Sequence, residues 1–436
     1  MKYLLAIWDG GGATPPNLGI ARLLIAHGHD VVVYGDPTLT PDVVRTGAIH
    51  RTWPTAPQRL SAALADDVLK DWECRTPIGA FLRVRDRLIA GPSARFAADI
   101  VAAVDVERFD AVLADGMLLG AIVGAEARGI PVAALVGSVY LAPSRVRPPA
   151  GRLAPARGRL GRARDRVGFS LANLLWDGGL RSLNDTRAEY GLDPLRHLWD
   201  QWDRASRVLM LTASAFDDPP PDAPNVRYVG PVLEDIPADG ALELPPGDSP
   251  LVLVGMSSSY MDQSELLRQI AQALASLPVR GLITTGPAID PDAVPHSSNT
   301  VVVRSAAHSE LIPKADLVIT HAGHGTLIKA IAAGVPTLCI PLGRDQPDNA
   351  ARAARHGVAI VLPPRSVAPA IASAIRKMLD QPSCRAAAES LGQRVRTEMA
   401  SGALLSELQG IPARESRTRK SDGQPRRRRT GGRFAR

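Results

Sequence analysis

The chain has 436 residues, which is long enough for two domains of ordinary size, each with its own hydrophobic core. Its 45% hydrophobic and 22% charged residues are typical of a soluble globular protein, and no apolar run approaches the roughly 20 residues that span a bilayer. The three scattered cysteines provide neither a disulfide framework nor a metal-binding spacing, so we expect a reducing, cytoplasmic environment.

The net charge of +7 is located at the end of the chain. Residues 411–436 contain ten Lys or Arg and two Asp or Glu, whereas the rest of the chain has a net charge of −1. A tail rich in Arg, Ser, Gly and Pro cannot bury a core, so disorder is predicted there. We favour a solvated end over an arm that binds polyanions weakly, and nucleic acid is not an expected partner.

Alternating short strands and helices predict an α/β fold with a parallel, doubly wound sheet in the first half of the chain. The predicted strands are 3–8, 31–34, 109–114, 131–136 and 207–211, with helices at 17–27 and up to 128. The glycine run Gly10–Gly12 follows the first strand but lacks the Gly-x-Gly-x-x-Gly spacing of dinucleotide-binding dehydrogenases.

Between residues 142 and 168 this pattern fails, since Pro, Gly and eight arginines crowd the stretch. We interpret it as a long mobile loop, and loops of this length are often functional lids. The arginines of 145–166 and five tryptophans form a candidate acceptor pocket for a flat or acidic molecule. Solvated charge and core packing are the alternative, and core packing is the preferred interpretation for these tryptophans: Trp53, Trp72, Trp176, Trp199 and Trp202.

A Pro/Gly-rich segment is the best candidate for a domain boundary. We predict a first domain at 1–216, a linker at 217–248, a second domain at 249–405 and the basic tail at 411–436. In the second domain, strands are predicted at 251–254, 279–284 and 301–304, with helices from 262 and over 366–405.

Residues 316–362 contain the most informative pattern of the chain. A short apolar strand precedes His321-Ala-Gly-His-Gly-Thr326, a helix follows, and after a second buried strand a polar loop runs from Asp345 to Asn349. Gly323 and Gly325 let the backbone come close to a ligand. The N–H groups and positive dipole end of the following helix suit a diphosphate.

This stretch resembles the donor-binding signature of the nucleotide-sugar glycosyltransferases that modify natural products, which have the two-domain GT-B fold. The resemblance implies that His321, Gly325 and Thr326 hold the diphosphate of a nucleotide sugar. It also implies that Asp345 and Gln346 bind sugar hydroxyls and that Asn349 supports the phosphate side. The other candidate donor-binding residues are Ser257, Ser258, Ser259, His308, Gly323 and His324.

The resemblance further implies an inverting, metal-independent glycosyltransferase with a small-molecule acceptor bound by the first domain. The histidine that serves as general base in the family is replaced by Ala13. Asp115 matches the aspartate that orients this histidine in relatives, and Asp9 also follows a strand. Both are candidate bases, although aspartates at strand ends often hydrogen-bond a turn instead.

Three hypotheses remain open at this point. The chain is an active glycosyltransferase that uses Asp9 or Asp115 as base, or its acceptor needs no histidine because it is a phenol, an enol or a carbon nucleophile. Otherwise it is a non-catalytic homologue that binds a nucleotide sugar or activates a partner enzyme. A sugar-nucleotide 2-epimerase of the same fold is the runner-up from another enzyme class.

Two further residue patterns bear on the donor. Relatives specific for UDP often have a glutamate where Lys329 stands, so dTDP becomes plausible, with the lysine expected to meet a phosphate or solvent. The Asp290-Pro-Asp292 sequence has the spacing of a metal motif but lies between prolines, and we interpret it as a turn. We therefore expect no metal and no cofactor other than the nucleotide sugar.

Overall fold

Two parallel β-sheets, one in each half of the chain, are formed by the part of the protein that the structure describes. The structure is a computed structural model, and it describes residues 1–144, 153, 156, 158–235, 244–257 and 259–411. Most of the arginine-rich loop, part of the linker, Ser258 and the basic tail beyond residue 411 lie outside the described residues. The predicted α/β architecture with two doubly wound sheets is confirmed.

The first sheet has the strand order β3-β2-β1-β4-β5-β6-β7, and every neighbouring pair is parallel. Its strands are β1 (Lys2–Ala6), β2 (Asp30–Gly35), β3 (Ile49–Thr52), β4 (Ala111–Asp115), β5 (Val132–Val136), β6 (Arg207–Met210) and β7 (Val226–Tyr228). The edge strand β7 comes from the segment predicted as linker, so the first sheet continues into that segment.

Successive side chains of β1 point to opposite faces of this sheet. Leu4 and Ala6 pack into one buried layer, whereas Tyr3, Leu5 and Ile7 pack into the other. Because both faces are covered, the central strands β1, β4 and β5 are almost entirely apolar, whereas the edge strand β3 is polar and more exposed.

Seven helices of the described residues surround the first sheet, and one of them corrects the sequence-based expectation. They are α1 (Thr14–Ala26), α2 (Thr40–Arg45), α3 (Pro77–Val84), α4 (Ser93–Val106), α5 (Leu119–Ala127), α6 (Gly158–Asp177) and α7 (Leu180–Glu189). The predicted loop over 142–168 is wrong from Gly158 onward, since α6 begins there. Arginine and leucine are good helix formers, and apolar residues at 169, 172 and 176 recur at helical spacing.

The second sheet has the order β10-β9-β8-β11-β12-β13 and is also parallel. Its strands are β8 (Leu251–Gly255), β9 (Arg280–Thr284), β10 (Thr300–Val303), β11 (Leu317–Thr320), β12 (Thr337–Cys339) and β13 (Ala359–Val361). Its helices are α8 (Ser264–Ala275), α9 (His308–Leu311), α10 (His324–Ala333), α11 (Gln346–Arg355), α12 (Ala368–Leu379) and α13 (Pro382–Met399).

A last described helix, 403–411, returns to the first domain. Leu408 and Ile411 are buried in the core layer that contains Tyr3, and the Tyr3 hydroxyl donates to the Leu408 carbonyl at 3.3 Å. The two domains also share an apolar contact, in which Val139 and Phe216 pack with residues of α10. The strand ends of both sheets therefore face a common cleft.

Candidate functional site

The cleft between the domains has a volume of about 1770 Å³ and is lined by residues of both sheets. Parallel strands place their carboxyl ends at one edge, and ligand sites of open α/β sheets lie at that edge. The first domain contributes the loops after β1, β4 and β5, and the second contributes the loops after β8, β11 and β12. The site predicted from the signature thus faces the first domain across an open pocket.

The glycine-bearing turn after β11 leads directly into α10. Gly323 precedes the helix, no side chain caps its first N–H groups, and the residues of its first turn line the cleft, as a diphosphate site would require. The need for glycine at 323 comes from the protein itself. A Cβ there would lie 2.3 Å from His321 Nε2, so any side chain would displace the imidazole.

His321 lies beside this turn and lines the cleft. Its Nδ1 is buried and has no hydrogen-bond partner among the described residues. Burial lowers the pKa of His321 to about 4, so its imidazole is neutral at pH 7. A neutral imidazole with a free nitrogen can exchange a hydrogen bond with a ligand oxygen.

The turn is held in shape by Asn349, which is fully buried and does not line the cleft. Its Nδ2 donates to the Ala322 carbonyl at 3.1 Å and to Asp345 Oδ2 at 2.8 Å. Ala322 has φ of +65°, a left-handed conformation that is costly for a residue other than glycine. The direct donor contact implied for Asn349 therefore needs correction, because its amide is directed to the two loops and positions them.

Asp345 and Gln346 both line the cleft, as the resemblance implied. The Ser138 hydroxyl of the first domain donates to Asp345 Oδ2 at 2.5 Å, so a hydroxyl already occupies one position beside this carboxylate. Gln346 Oε1 accepts from the backbone N–H groups of Leu342 and Gly343, at 2.8 and 3.1 Å. Gln346 thus closes its own loop, and its Nε2 is directed to Met261 Sδ at 3.1 Å.

An ion pair between a buried carboxylate and a partly exposed guanidinium joins the two domains next to these residues. Arg344, with φ of +54°, donates from Nε and Nη2 to the two oxygens of Asp71, at 2.7 and 2.8 Å. Its Nη1 also donates to Ser259 Oγ at 3.1 Å. The strained loop before Asp345 is therefore fixed by a bidentate contact from the opposite domain.

The serines after β8 also face the cleft. Ser257 and Ser259 line it, and their hydroxyls are 3.2 Å apart. Ser258 lies outside the described residues. His308 lines the cleft as well, with Nε2 3.1 Å from the Thr284 hydroxyl, and burial lowers its pKa to about 4.

The remaining signature residues contact the first domain. His324 Nε2 is 2.9 Å from the Thr212 hydroxyl, so this nitrogen is already engaged, and burial lowers the pKa of His324 to about 4. Gly325 and Thr326 line the cleft. A Cβ at Gly325 would lie 3.5 Å from the Gly12 carbonyl oxygen, which shows how closely the turns after β1 and β11 approach.

Lys329 meets neither solvent nor an open phosphate site, in contrast to the expectation from the sequence. Its ammonium pairs with Asp235 and donates to the Glu234 carbonyl at 2.7 Å. Burial by itself raises the pKa of Asp235, but Lys329 and Ser309 more than offset this and lower it. Both Lys329 and Asp235 line the cleft, where they place a carboxylate close to the position of the family's glutamate.

On the first domain's side, Asp115 ends β4 and lines the cleft with Ala13 and Gly137. The Met117 N–H donates to Oδ1 at 3.0 Å and Asn17 Nδ2 donates to Oδ2 at 3.3 Å, so the aspartate also stabilises its own turn. It is 5% exposed. Burial raises the pKa of Asp115 to about 6, with the hydrogen bonds opposing the rise.

Asp9 is engaged by contacts within the first domain, which corrects its selection as a candidate base. Its Oδ2 accepts from the Thr38 hydroxyl at 2.9 Å and lies 3.5 Å from Arg59. Asp9 does not line the large cleft. Because its carboxylate is engaged within the first domain, the geometry favours Asp115 over Asp9 as base.

Aromatic side chains cover much of the first domain's wall. We define the aromatic row as five rings in successive contact, with centroids 4.2 to 6.0 Å apart: Phe81, Trp176, Trp199, Trp202 and Tyr140. The row and Trp72 line the cleft. Core packing, the preferred interpretation, is confirmed for Trp53, Trp199 and Trp202, which are buried in the first domain's hydrophobic core, although the cleft reaches the last two as well.

The residues that connect the two walls of the cleft were not predicted from the sequence. Ser138 lies two residues beyond β5, so the strand-end rule that selected Asp115 would have found it. Asp71 and Thr212 carry no local signal, because their partners come from the other domain.

Two observations concern metal and membrane. Among the described residues, no group of three or more His, Cys, Asp or Glu side chains is arranged to hold a metal ion. Asp290 accepts a hydrogen bond from the Asp292 N–H in a short turn, as predicted. Within the same described ranges, each helix is too short or too polar to cross a bilayer.

Comparison with known proteins agrees with this geometry. Residues 193–393 match the family described as UDP-glucoronosyl and UDP-glucosyl transferase. The chain is 30% identical to 4'-demethylrebeccamycin synthase of Lentzea aerocolonigenes over 404 residues. The aligned region covers 89% of this chain and 94% of that protein.

Solved structures of natural-product glycosyltransferases share the fold. The glycosyltransferase of kitacinnamycin superimposes with a TM-score of 0.72 at 19% identity, over 94% of this chain and 98% of that one. VinC in complex with dTDP gives 0.68 at 18% identity, over 95% and 100% of the two chains. The chain therefore belongs to the UDP-glucoronosyl and UDP-glucosyl transferase family, as a glycosyltransferase of the natural-product type with the GT-B fold.

Proposed function

We propose that this protein transfers a sugar from a dTDP- or UDP-linked donor to a hydroxyl group of a small-molecule natural product, with inversion at the anomeric carbon. Asp115 is the general base in this proposal. The observation that carries it is the placement of a buried carboxylate, with its pKa raised to about 6, in the cleft wall beside Ala13. A base with this pKa is deprotonated at pH 7 and still accepts a proton effectively.

The reaction needs one proton transfer and one displacement. Asp115 takes the proton of the acceptor hydroxyl while that oxygen attacks the anomeric carbon. The bond from this carbon to the diphosphate oxygen breaks, and the electron pair leaves with the nucleoside diphosphate. Asp115 then returns its proton to solvent.

Charge that develops on the departing diphosphate is stabilised from the second domain. The uncapped start of α10 and the neutral imidazole of His321 line the cleft, and donors fixed in advance need no reorganisation during the reaction. Neither Asp115 nor these donors calls for a metal ion, so we propose that transfer is metal-independent and is unaffected by EDTA.

The donor sugar is proposed to bind Asp345 and Gln346, with Ser138 released from Asp345 or retained as a third contact. For the nucleotide, the Lys329–Asp235 pair differs from the lone glutamate of UDP-specific relatives, which supports dTDP as a donor. VinC, which shares the fold, was solved with dTDP.

A second candidate function is the binding of a nucleotide sugar without turnover. It is favoured by Ala13, which cannot accept a proton. In this case the protein would act as a sensor or as an activator of a partner enzyme.

One experiment separates the two. The purified protein is incubated with dTDP-glucose or UDP-glucose and a panel of phenols and alcohols, with and without EDTA. We expect a β-glucoside from these α-linked donors, identified by mass spectrometry and by the anomeric coupling constant in NMR. An α-glucoside would overturn inversion, and tight nucleotide binding without turnover on any acceptor would establish the second candidate.

A further inference from the structure

We infer that the outer face of α6 binds the surface of an anionic lipid bilayer and holds the protein there as a peripheral membrane protein. The inference does not depend on the proposed function, because it concerns a surface outside the cleft. It is carried by the apolar residues that α6 exposes and by the charges that lie beside them.

The outer face of α6 is apolar although it is exposed to solvent. Of the sixteen large hydrophobic residues that are exposed in the described part of the chain, five lie on this one helix. We define the outer stripe as four of them: Leu160 (87% exposed), Val167 (60%), Leu171 (57%) and Leu174 (71%). Intervals of seven, four and three residues place them on one side of a helix.

The opposite side of α6 is the one that the fold uses. Phe169, Ala172 and Trp176 line the cleft, and Asp165 and Asn173 are buried. Packing against the described residues thus accounts for the inner side of the helix but not for the outer stripe. A contiguous set of exposed apolar residues, unlike a single one, is typical of an interaction surface.

The exposed charge of α6 is entirely positive. Arg159 and Arg166 lie beside the outer stripe on the helical wheel, and Arg162 follows them on the same flank. None of the three lines the cleft, so they are not part of the acceptor pocket for which the sequence made them candidates. Both acidic residues of the helix, Asp165 and Asp177, are hydrogen-bonded within the protein.

An anionic bilayer complements this surface in both of its properties. Leucine and valine side chains enter the boundary of the acyl chains when an amphipathic helix lies in the plane of the membrane surface. Arginine has a long apolar stem, so it can cover apolar surface while its guanidinium remains among the lipid phosphates. The attraction between arginines and anionic lipids then adds to the burial of the outer stripe.

A protein partner fits the outer stripe less well. The stripe is about 21 Å long and roughly 10 Å wide, far below the about 800 Å² that each partner contributes to a stable protein complex. A second copy of the chain would also bring like-charged arginines close together.

The test measures how the full-length protein sediments with lipid vesicles. We expect it to bind vesicles of phosphatidylcholine and phosphatidylglycerol in a ratio of about three to one. The partition coefficient should be at least about tenfold lower for pure phosphatidylcholine, and it should fall as the salt concentration rises.

A pair of substitutions tests the outer stripe. Leu171→Glu combined with Leu174→Glu should weaken binding to the anionic vesicles at least about tenfold, because two carboxylates would have to enter the membrane interface. The matched control is Val44→Glu combined with Val106→Glu, which adds the same charge at exposed apolar positions of α2 and α4. It should change the partition coefficient less than about threefold, and neither pair lies in the cleft lining.

A second variant tests the arginines. Replacing Arg159, Arg162 and Arg166 by glutamine should remove most of the preference for anionic vesicles and leave binding to pure phosphatidylcholine unchanged. The control replaces three exposed basic residues of the second domain by glutamine: Arg376, Lys377 and Arg394. Because every changed side chain is exposed, all four variants should keep the Tm of the parent protein, and the two α6 variants test the inference independently.

Three results would overturn the inference. The full-length protein could fail to bind anionic vesicles, which would leave the outer stripe to a protein partner. The α6 variants and their controls could weaken binding equally, which would assign it to the ten Lys and Arg of residues 411–436. Light scattering without lipid could show a dimer that Leu171→Glu with Leu174→Glu dissociates, which would assign the outer stripe to a second copy of the chain.

Discussion

The two walls of the cleft are built in different ways. The donor wall consists mainly of residues 321–349, a contiguous stretch whose polar side chains hold one another through hydrogen bonds and ion pairs. The acceptor wall consists of rings that come from separate segments, at 81, 140, 176, 199 and 202, and that are held by packing.

This difference teaches where substitution is tolerated. In the donor wall, Ala322 and Arg344 have left-handed backbones that depend on Asn349 and Asp71, so a change at one position disturbs the others. Exchanges that conserve volume among these rings need no change in the backbone, whereas truncation of the buried Trp199 or Trp202 would leave a cavity. The donor wall is therefore suited to one conserved type of ligand group, and the acceptor wall to varied acceptors.

The largest expected effect is that of replacing Asp115, the charged side chain of the acceptor wall that is proposed to take the proton. Asp115→Asn removes the base but keeps the hydrogen-bonding shape, so kcat should fall by about 10²- to 10⁴-fold while the Kd for dTDP stays within about twofold. Steady-state kinetics and calorimetry measure the two quantities.

The matched control is Asp9→Asn, which alters a carboxylate outside the cleft and should keep kcat within about threefold. If Asp9→Asn impaired kcat as much as Asp115→Asn, the assignment of the base to the cleft would be wrong. Full activity of Asp115→Asn would mean that the acceptor needs no base.

The next largest effect tests whether the donor wall depends on the opposite domain. Asp71→Ala removes the buried partner of the half-buried Arg344 guanidinium, which should destabilise the protein by about 2 kcal/mol, as expected for the loss of hydrogen bonds to a charged group. We expect a lower Tm in calorimetry and a weaker dTDP affinity, because the loop before Asp345 loses its support.

An exposed ion pair supplies the control for this variant. Arg128 and Asp105 are 2.6 Å apart but 38% and 48% exposed, so Asp105→Ala should cost less than about 1 kcal/mol. If the two variants had the same Tm, the contact between Asp71 and Arg344 would not stabilise the association of the two domains.

The donor wall was predictable because its residues follow one another in the sequence at positions fixed by a strand, a turn and a helix. The same reasoning failed where a partner is remote. Asn349 was expected to support the phosphate side, but no local signal in the sequence reveals that its amide reaches back 27 residues to the Ala322 carbonyl of the glycine-bearing turn.

The acceptor wall shows the same limit more strongly. Trp199 and Trp202 are only 8% and 5% exposed, and nothing in the sequence distinguishes them from other core residues. Only the fold shows that the cleft exposes their remaining surface. The start of helix α6 was not predicted because its arginines suggested a loop, although arginine favours helices.

The pH dependence of kcat/KM tests the difference in charge between the carboxylate of the acceptor wall and the histidines of the donor wall. Burial raises the pKa of Asp115 to about 6 and lowers those of His308, His321 and His324 to about 4. Between pH 5 and 8 only Asp115 changes charge among these four groups, and it is active when deprotonated. We therefore expect kcat/KM to be level above pH 7 and to fall towards tenfold per pH unit below about 6.

The profile of Asp115→Asn supplies the comparison. Its residual activity should show no bend near pH 6, because the titrating group has been removed. A bend that persists in this variant would assign the titration to another residue and separate Asp115 from the proton transfer.

The smallest expected effect concerns the nucleotide end of the donor wall. Lys329→Gln replaces an ammonium by an amide, whose oxygen can accept a hydrogen bond from a ribose hydroxyl and whose N–H₂ can still donate to Asp235. One added hydrogen bond to the 2'-hydroxyl of UDP, which dTDP lacks, should shift the ratio of the two affinities towards UDP by about fivefold. Calorimetric titration with each nucleotide measures this ratio, and Lys377→Gln, an exposed α12 substitution outside the cleft, controls for the lost charge. At this point only a contact to the ribose distinguishes the two nucleotides, so an equal change in both affinities would place Lys329 near the phosphates. If neither affinity changed, the Lys329–Asp235 pair would lie outside the nucleotide site.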